Sequence, residues 1–460
     1  MKRHRRVCEV ALASVWLARC ALAHAQPADP AAPAAPAAVE QPAVSDPMLA
    51  PPEAAPAELR SWDEAIAMMR RSPTYLTSTA EVERALAQRR IALAAVLPTL
   101  TGAAGYQHNF NSIDITSGGA VLVAPPPTIW SASATASWNL INPRGIYGIG
   151  TADLATRVAN LSLADRRRVL AGSVVSAMLA TLSAGRVAEL DRVGLRAALE
   201  RLVLTQTRFR LSRGTELDID RAQQDVAAAR ALLINGDESL RQAREALGQA
   251  LGSATPLAAP AELDLEGFER SVASTCRVAA DVERRADVAA ASQRVAIAQR
   301  QITDAELQFA PSLAVGSTAA YASAVTLGPN STWAVGATLT VPLFDGGVRY
   351  GALRDARAAA DEARDALASV RVEAMIEVAR ATRAIAVDTA ARAVARDQRE
   401  LAARIDARTR EGYAKGVGTS LDLVTSAQAL RQAEINLVLV DFELAAARAG
   451  AVLANAECVY

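Results

Sequence analysis

Two stretches, Phe209-Arg-Leu-Ser-Arg-Gly-Thr-Glu-Leu-Asp-Ile-Asp-Arg-Ala-Gln-Gln-Asp-Val226 and Tyr413-Ala-Lys-Gly-Val-Gly-Thr-Ser-Leu-Asp-Leu-Val-Thr-Ser-Ala-Gln-Ala-Leu430, align at one constant offset without a gap. On either side of them, further landmarks recur in the same order. Leu97-Pro98-Thr99-Leu100 matches Ala310-Pro311-Ser312-Leu313, and Trp130 with Leu140-Ile141-Asn142 matches Trp333 with Leu343-Phe344-Asp345. The period, roughly 200 residues, is far longer than a solenoid unit and means two similar halves.

Within each half the hydrophobic period changes twice. Pro98 and Pro311 each stop a helix, because proline has no amide hydrogen to donate. Beyond each proline the residues alternate as strands do, placing every second side chain on one face. Leu100, Gly102, Ala104, Tyr106, His108 and Phe110 share a face, as do Trp130, Ala132, Ala134, Ala136, Trp138 and Leu140. The second half gives Leu313, Val315, Ser317, Ala319 and Tyr321, then Trp333, Val335, Ala337, Leu339, Val341 and Leu343. Loops at Asn111 to Pro127 and Leu327 to Asn330 join the strands into two hairpins, about 98–141 and 311–344. Strands of about ten residues suit a membrane barrel, but the smallest outer-membrane barrels have about eight strands, so closure would need several chains. A small soluble sheet capping the helices fits the same alternation.

Long helical stretches come next, Ile146 to about Leu211 and Val348 to about Arg410. Each would run close to 100 Å unbroken and needs partners along its whole length. Small residues such as Ala352, Ala356, Ala359, Ala363 and Ala366 let neighbouring helices approach closely. The chain then turns at glycine-containing tips, about 212–218 and 411–422, and a second helix returns. The two halves are therefore expected at 58–251 and 284–457, with a linker at 252–283.

Composition agrees with long packed helices. The chain has 460 residues, of which only 4% are aromatic, too few for an ordinary β-rich core. Its 49 basic and 49 acidic residues balance, leaving no electrostatic footprint for nucleic acid. Lys2, Arg3, Arg5 and Arg6 precede an apolar run that ends at Ala23-His24-Ala25, which reads as a signal peptide cleaved between Ala25 and Gln26. A lipoprotein signal ending at Cys20 is the rival reading, although Arg19 stands where a small residue is normally required. Residues 26–57 repeat Ala and Pro without period and are expected to form an extended tether outside the core. No further run apolar enough for a transmembrane helix is evident, so an exported protein of this kind would be periplasmic, secreted or an outer-membrane barrel.

At these residues the chain resembles the TolC family of outer-membrane factors over nearly all its mature length. The matching signatures are Pro311-Ser-Leu, Pro342-Leu-Phe-Asp-Gly-Gly347, the two Gly-Thr-x-Leu-Asp tips, and Arg285-Ala-Asp-Val288, in which Ala286 replaces a usual proline. The resemblance implies a mainly α fold with a β-barrel portion: a homotrimeric channel-tunnel in the outer membrane. Four strands per chain would share a 12-stranded barrel in outer-membrane lipid, and antiparallel helical hairpins would form a periplasmic α-barrel. It also implies a passive exit duct, without cofactor, that works with a periplasmic adaptor and an inner-membrane ABC or proton-driven transporter.

Carried over residue by residue, Asp422 matches an acidic ring at the narrow periplasmic gate, and Asp218 and Tyr413 match residues that tie neighbouring helices together. Gly418 stands where the best-known member has an arginine, and Thr425 replaces a second acidic ring. Gly214, Thr215, Gly416, Gly418 and Thr419 match the adaptor-docking tips, although turn chemistry explains the glycines equally well. Thr215-x-x-Asp218 and Thr419-x-x-Asp422 also fit an acidic capping box, a reading compatible with a gate. Cys276 and Cys458 both fall near the implied equatorial level; they are expected to pair, with two free thiols as the alternative.

An enzyme reading fares badly on this sequence. After signal cleavage the one remaining histidine is His108, on an expected strand, and neither a nucleophile elbow nor a phosphate loop occurs. A purely structural coiled-coil envelope protein would explain the helices but not paired hairpins at corresponding points of a duplication. For cargo, type I secretion of a repeats-in-toxin protein, such as an adenylate cyclase toxin, is the expectation, with multidrug efflux as the alternative.

Overall fold

The computed structural model describes residues 44–458 except 112, 118–119, 125–127, 261–263, 279–280 and 324–328; for 114–117 and 120–124 only the backbone is described. Ala25 and Gln26, the expected cleavage site, lie outside the described residues. In chain order the elements are β1 (Ala57–Glu58), α1 (Trp62–Met69), α2 (Pro73–Ala94), β2 (Thr99–His108), β3 (Ile113–Ser117), β4 (Ala120–Ala124), β5 (Thr128–Ile141), α3 (Pro143–Arg210) and α4 (Glu216–Leu251). There follow β6 (Leu257–Ala258), α5 (Leu265–Thr275) and β7 (Cys276–Val278) in the linker, then α6 (Ala286–Leu307), β8 (Ser312–Ala322), β9 (Ser331–Thr340), α7 (Val348–Lys415), α8 (Ser420–Ala454) and β10 (Ala456–Cys458).

The duplication is visible in the elements. Both α3 and α7 have 68 residues and so run about 100 Å. The helix α3 starts at Pro143, where the missing amide costs nothing, and Asn142 caps it by accepting from the Gly145 amide at 2.9 Å. Each long helix pairs antiparallel with its shorter successor, and α2 and α6 pack beside α3 and α7. The second tip is shorter than expected, because α7 continues to Lys415 before turning.

The four long strands form one antiparallel sheet in the order β2-β5-β8-β9, so the two hairpins lie side by side and the free edges are β2 and β9. The register sorts the side chains by face. Leu100, Ala136, Ser317 and Val335 stand in one cross-strand row, and Gly102, Ala134, Ala319 and Trp333 in the next. By the period of two, Tyr106, Trp130, Trp138, Tyr321 and Leu339 lie on that same face. The opposite face carries Thr99, Thr101, Gln107, Ser131, Ser133, Thr135, Ser137, Thr318, Thr332 and Thr338. Large apolar residues on the first face stay exposed, Leu100 at 78% and Trp333 at 77%. The loop expected at Asn111 to Pro127 is a correction: β3 and β4 pair antiparallel within it as a separate ribbon. Its strands were missed because Thr and Ser beside Gly and Pro read as turn chemistry.

The main core lies midway along the helical body. Trp62, Met69, Val174, Met178, Leu179, Leu247, Leu251, Phe268, Val272, Ala449 and Leu453 pack there, drawing on α1, α3, α4, α5 and α8. One 18-residue window of α3 is apolar and long enough to cross a membrane, contrary to the expectation from sequence. Its uncharged stretch Val169–Gly185 supplies Leu170, Ala171, Val174, Val175, Met178 and Leu179 to that core, which explains its composition. At the same level β7 pairs with β10, setting Cys276 opposite Cys458, and the two are joined by a disulfide.

The tether expectation needs correcting over 44–57. Asp46 pairs with Arg230 at 2.7 Å, and Met48 and Leu49 pack against the cluster of Leu195, Val226 and Leu233. Arg192 and Arg244 hold the carbonyls of Ala50 and Glu53. Periodicity could not reveal this strap, since its bonds join the Asp46 carboxylate and two backbone carbonyls to arginines of α3 and α4 far along the chain.

Candidate functional site at the helical tips

Both tips are built by the same local chemistry. Thr215 accepts from the Asp218 amide at 3.3 Å while the Asp218 carboxylate accepts from the Thr215 amide at 2.9 Å. Thr419 and Asp422 repeat the exchange at 3.1 and 3.2 Å. Each reciprocal pair satisfies two amides that the first turn of α4 or α8 would leave without partners. Glycine is required by the second turn: Gly416 sits at φ 81°, and a Cβ on Gly418 would come within 3.0 Å of the Tyr413 nitrogen. Turn chemistry thus accounts for both glycines.

The two aspartates differ in what their second oxygen does. Asp218 uses Oδ2 for its cap, while Oδ1 accepts a hydrogen bond from Ser420 at the start of α8, joining the two tips. Burial pushes the Asp218 carboxyl up, but bonds from Ser420 and Thr215 outweigh it and hold the group below the usual carboxylate range. Asp422 also caps through Oδ2, and the bonds from Thr419 lower its pKa. Its side chain is exposed, so Oδ1 is open to whatever lies beyond the tip. Thr425 is exposed and turns its hydroxyl back onto the Leu421 carbonyl at 2.9 Å.

Tyr413 is buried, and Arg208 stacks its guanidinium 4.0 Å from the ring centroid. About two turns further in, Gln428 donates to Asp225 at 3.0 Å, and Arg201 grips the other oxygen of that buried carboxylate at 2.6 Å. Sequence reasoning missed Ser420, Arg208, Arg201, Asp225 and Gln428. The signal lay in the mismatches of the repeat, where Arg208 aligns with Gly412 and Ser420 with Glu216. Among the tip residues matched to docking, Thr215, Gly416 and Thr419 are exposed and Gly214 and Gly418 are half-buried. Beside them Leu211, Leu217, Val417 and Leu421 present bare apolar side chains, Val417 at 85% exposure.

The other matched motifs fix joints in the body. Arg285 is buried and donates to Asp287, to Glu377 on α7 and to the Ala454 carbonyl at the end of α8. Asp345 of the Pro342–Gly347 turn accepts from the amides of Gly347 and Arg349, fixing the passage from β9 into α7.

A sheet with one greasy and one hydroxylated face, set on a helical body about 100 Å long, defines a channel-tunnel subunit with a β-barrel portion. The model of the outer membrane efflux protein family matches residues 67–253 and 281–454, and the chain belongs to that family. It is accordingly an outer-membrane channel of the tripartite export systems and not an enzyme. Solved structures of the same fold include a membrane protein from Pseudomonas aeruginosa, 22% identical with TM-score 0.71, covering 85% of this chain and 89% of that one. The Campylobacter jejuni CmeC outer membrane channel is 15% identical with TM-score 0.74, covering 85% and 84%. The open-state Neisseria gonorrhoeae MtrE outer membrane channel is 20% identical with TM-score 0.69, covering 85% and 88%. No protein of curated function matches in sequence.

Proposed function

We propose that three copies of this chain close into one duct, in which the sheets join edge to edge as a twelve-stranded barrel and the helices line a periplasmic tunnel. The observation that carries this reading is the four-stranded sheet itself, whose apolar face suits lipid, whose hydroxyl-rich face suits water, and whose β2 and β9 edges are free. An isolated sheet of this kind leaves two rows of amides and carbonyls without partners in hydrocarbon, a cost that closure removes.

At the tunnel's far end Asp422 forms the gate ring. Its cap occupies one carboxylate oxygen, so three copies can turn the other toward a common axis. Three such charges repel one another and attract cations. Asp218 and Tyr413 tie the tips together, and Thr425 supplies a neutral second level. Leu211, Leu217, Val417 and Leu421, with Gly214, Thr215, Gly416, Gly418 and Thr419, form the docking surface for a periplasmic adaptor that links the duct to an inner-membrane transporter.

For cargo, the family description favours efflux of small molecules, while secretion of a protein toxin through the same duct rests on no residue of this chain. Deleting the gene separates the two: drug sensitivity with normal protein secretion supports efflux, and the reverse supports secretion.

The duct is tested by single-channel recording in planar bilayers. Cation-selective pores blocked by divalent cations from the helical side, with block lost in Asp422→Ala, are expected. A folded protein that never conducts would return the chain to a structural role.

A further inference from the structure

We infer that the groove between α7 and α8 is a docking seat for a short basic segment of a periplasmic partner, built on the plan by which the groove between α3 and α4 holds the chain's own strap at 44–57. The inference rests on the duct reading for the side of the helices that faces the periplasm.

The strap shows how such a seat reads a polypeptide. Between Val44 and Pro56 it has no regular structure beyond a 3-10 turn at Pro47–Leu49, so its side chains and carbonyls do the binding. Asp46 pairs with Arg230 at 2.7 Å, Met48 and Leu49 pack on Leu195, Val226 and Leu233, and Arg192 donates to the Ala50 carbonyl at 3.1 Å. One charge, one apolar pair and one carbonyl are thus held in succession.

The duplication repeats the seat. Carried along the unbroken helices, the offset that aligns Phe209 with Tyr413 sets Arg396 against Arg192, Arg399 against Leu195, Glu434 against Arg230 and Leu437 against Leu233. These four residues, with Leu190 and Val438, line an open groove. Among the described residues nothing lies over it, and the Arg396 side chain is 74% exposed where that of Arg192 is 9% exposed.

The plan is kept while the charge is inverted. Arg396 is drawn only to Glu400, at 3.6 Å, and can donate to a carbonyl as Arg192 does. Arg399 donates to Oε1 of Glu434 at 3.2 Å, and among the described residues no bond engages Oε2, which faces a ligand cation. Leu437 and Val438 supply the apolar floor. The seat therefore repels a strap that carries Asp46 and accepts a segment with Lys or Arg in its place.

Two heptads along the same stripe of α8, Arg448 reaches Glu269 of α5 at 3.5 Å. A short element such as α5 would obstruct a tunnel from within, so in the duct this side of α8 faces the periplasm. Glu434 lies about 20 Å along α8 from Ser420, which separates the seat from the tip surface.

The test uses fluorescent peptides of the strap sequence 44–56, native and with Asp46→Lys, each carrying a photoreactive group in place of the Met48 side chain. They are titrated by anisotropy against full-length protein in detergent, then cross-linked and mapped. The Asp46→Lys peptide is expected to bind wild type about tenfold tighter than the native peptide and to cross-link at 434–438. Glu434→Gln, which removes the charge without setting a second cation beside Arg399, is expected to erase the preference, and Glu434→Arg to reverse it. The tethered strap keeps its own seat filled at high effective concentration. No binding by either peptide, equal binding of the two to wild type, a preference unmoved in Glu434→Gln, or cross-links confined to 226–233 would each overturn the seat. Channels that conduct normally alongside such a result leave the duct standing, whereas a protein that never conducts overturns the duct and the periplasmic exposure that the seat needs.

Discussion

Ser212 holds a left-handed backbone at φ 55°, the position at which the second repeat places Gly416 at φ 81°. A side chain in that region crowds the following carbonyl, so serine bears a cost that glycine avoids. Ser212→Gly is expected to stabilise the first tip by about 0.5–1 kcal/mol, read as slower amide exchange at 211–215. An unchanged or faster exchange rate would mean that other bonds of the turn relieve the strain. The capping residues at both tips were legible from spacing alone, because a Thr three positions before an Asp is a local pattern. The second oxygen of each aspartate was not legible, since its partner, Ser420 in the case of Asp218, lies on the other hairpin.

Among the elements, the most telling pair is β7 with β10, three-residue strands from distant parts of the chain. Their disulfide closes a span of 182 residues that includes α6, the second β-hairpin, α7 and α8. A cross-link over so long a loop restricts the unfolded chain strongly, and removing it is expected to cost about 2–5 kcal/mol. Cys276→Ser should lower the melting temperature while preserving the helical circular dichroism signal at room temperature. Mass mapping under non-reducing conditions that finds both thiols free would sink this expectation. Element boundaries on the long helices were close to what Pro, Gly and Asn dictate. The ribbon of β3 and β4 was not, because its residues carry no strong alternation, and the strap at 44–57 is held by arginines of α3 and α4.

For the molecule as a whole, the exposed aromatic face and the two free sheet edges leave a single chain incomplete. Sedimentation in detergent is expected to give three chains per particle, stable to dilution. A monodisperse single-chain particle would leave β2 and β9 open and exclude a twelve-stranded closure.

Residue order was enough to establish the duplication, the succession of the long helices and the four long strands, the faces of those strands and the capped tips. All of these depend on residues a few positions apart or on a repeat that can be laid over itself. Only three-dimensional packing selected the partners that cross between hairpins, as Gln428 does to Asp225 and Arg208 to the end of α7. Packing likewise made the apolar run of α3 part of the core and laid 44–57 against the body. Those outcomes depend on distances between residues far apart in the chain, and periodicity carries no information about such distances.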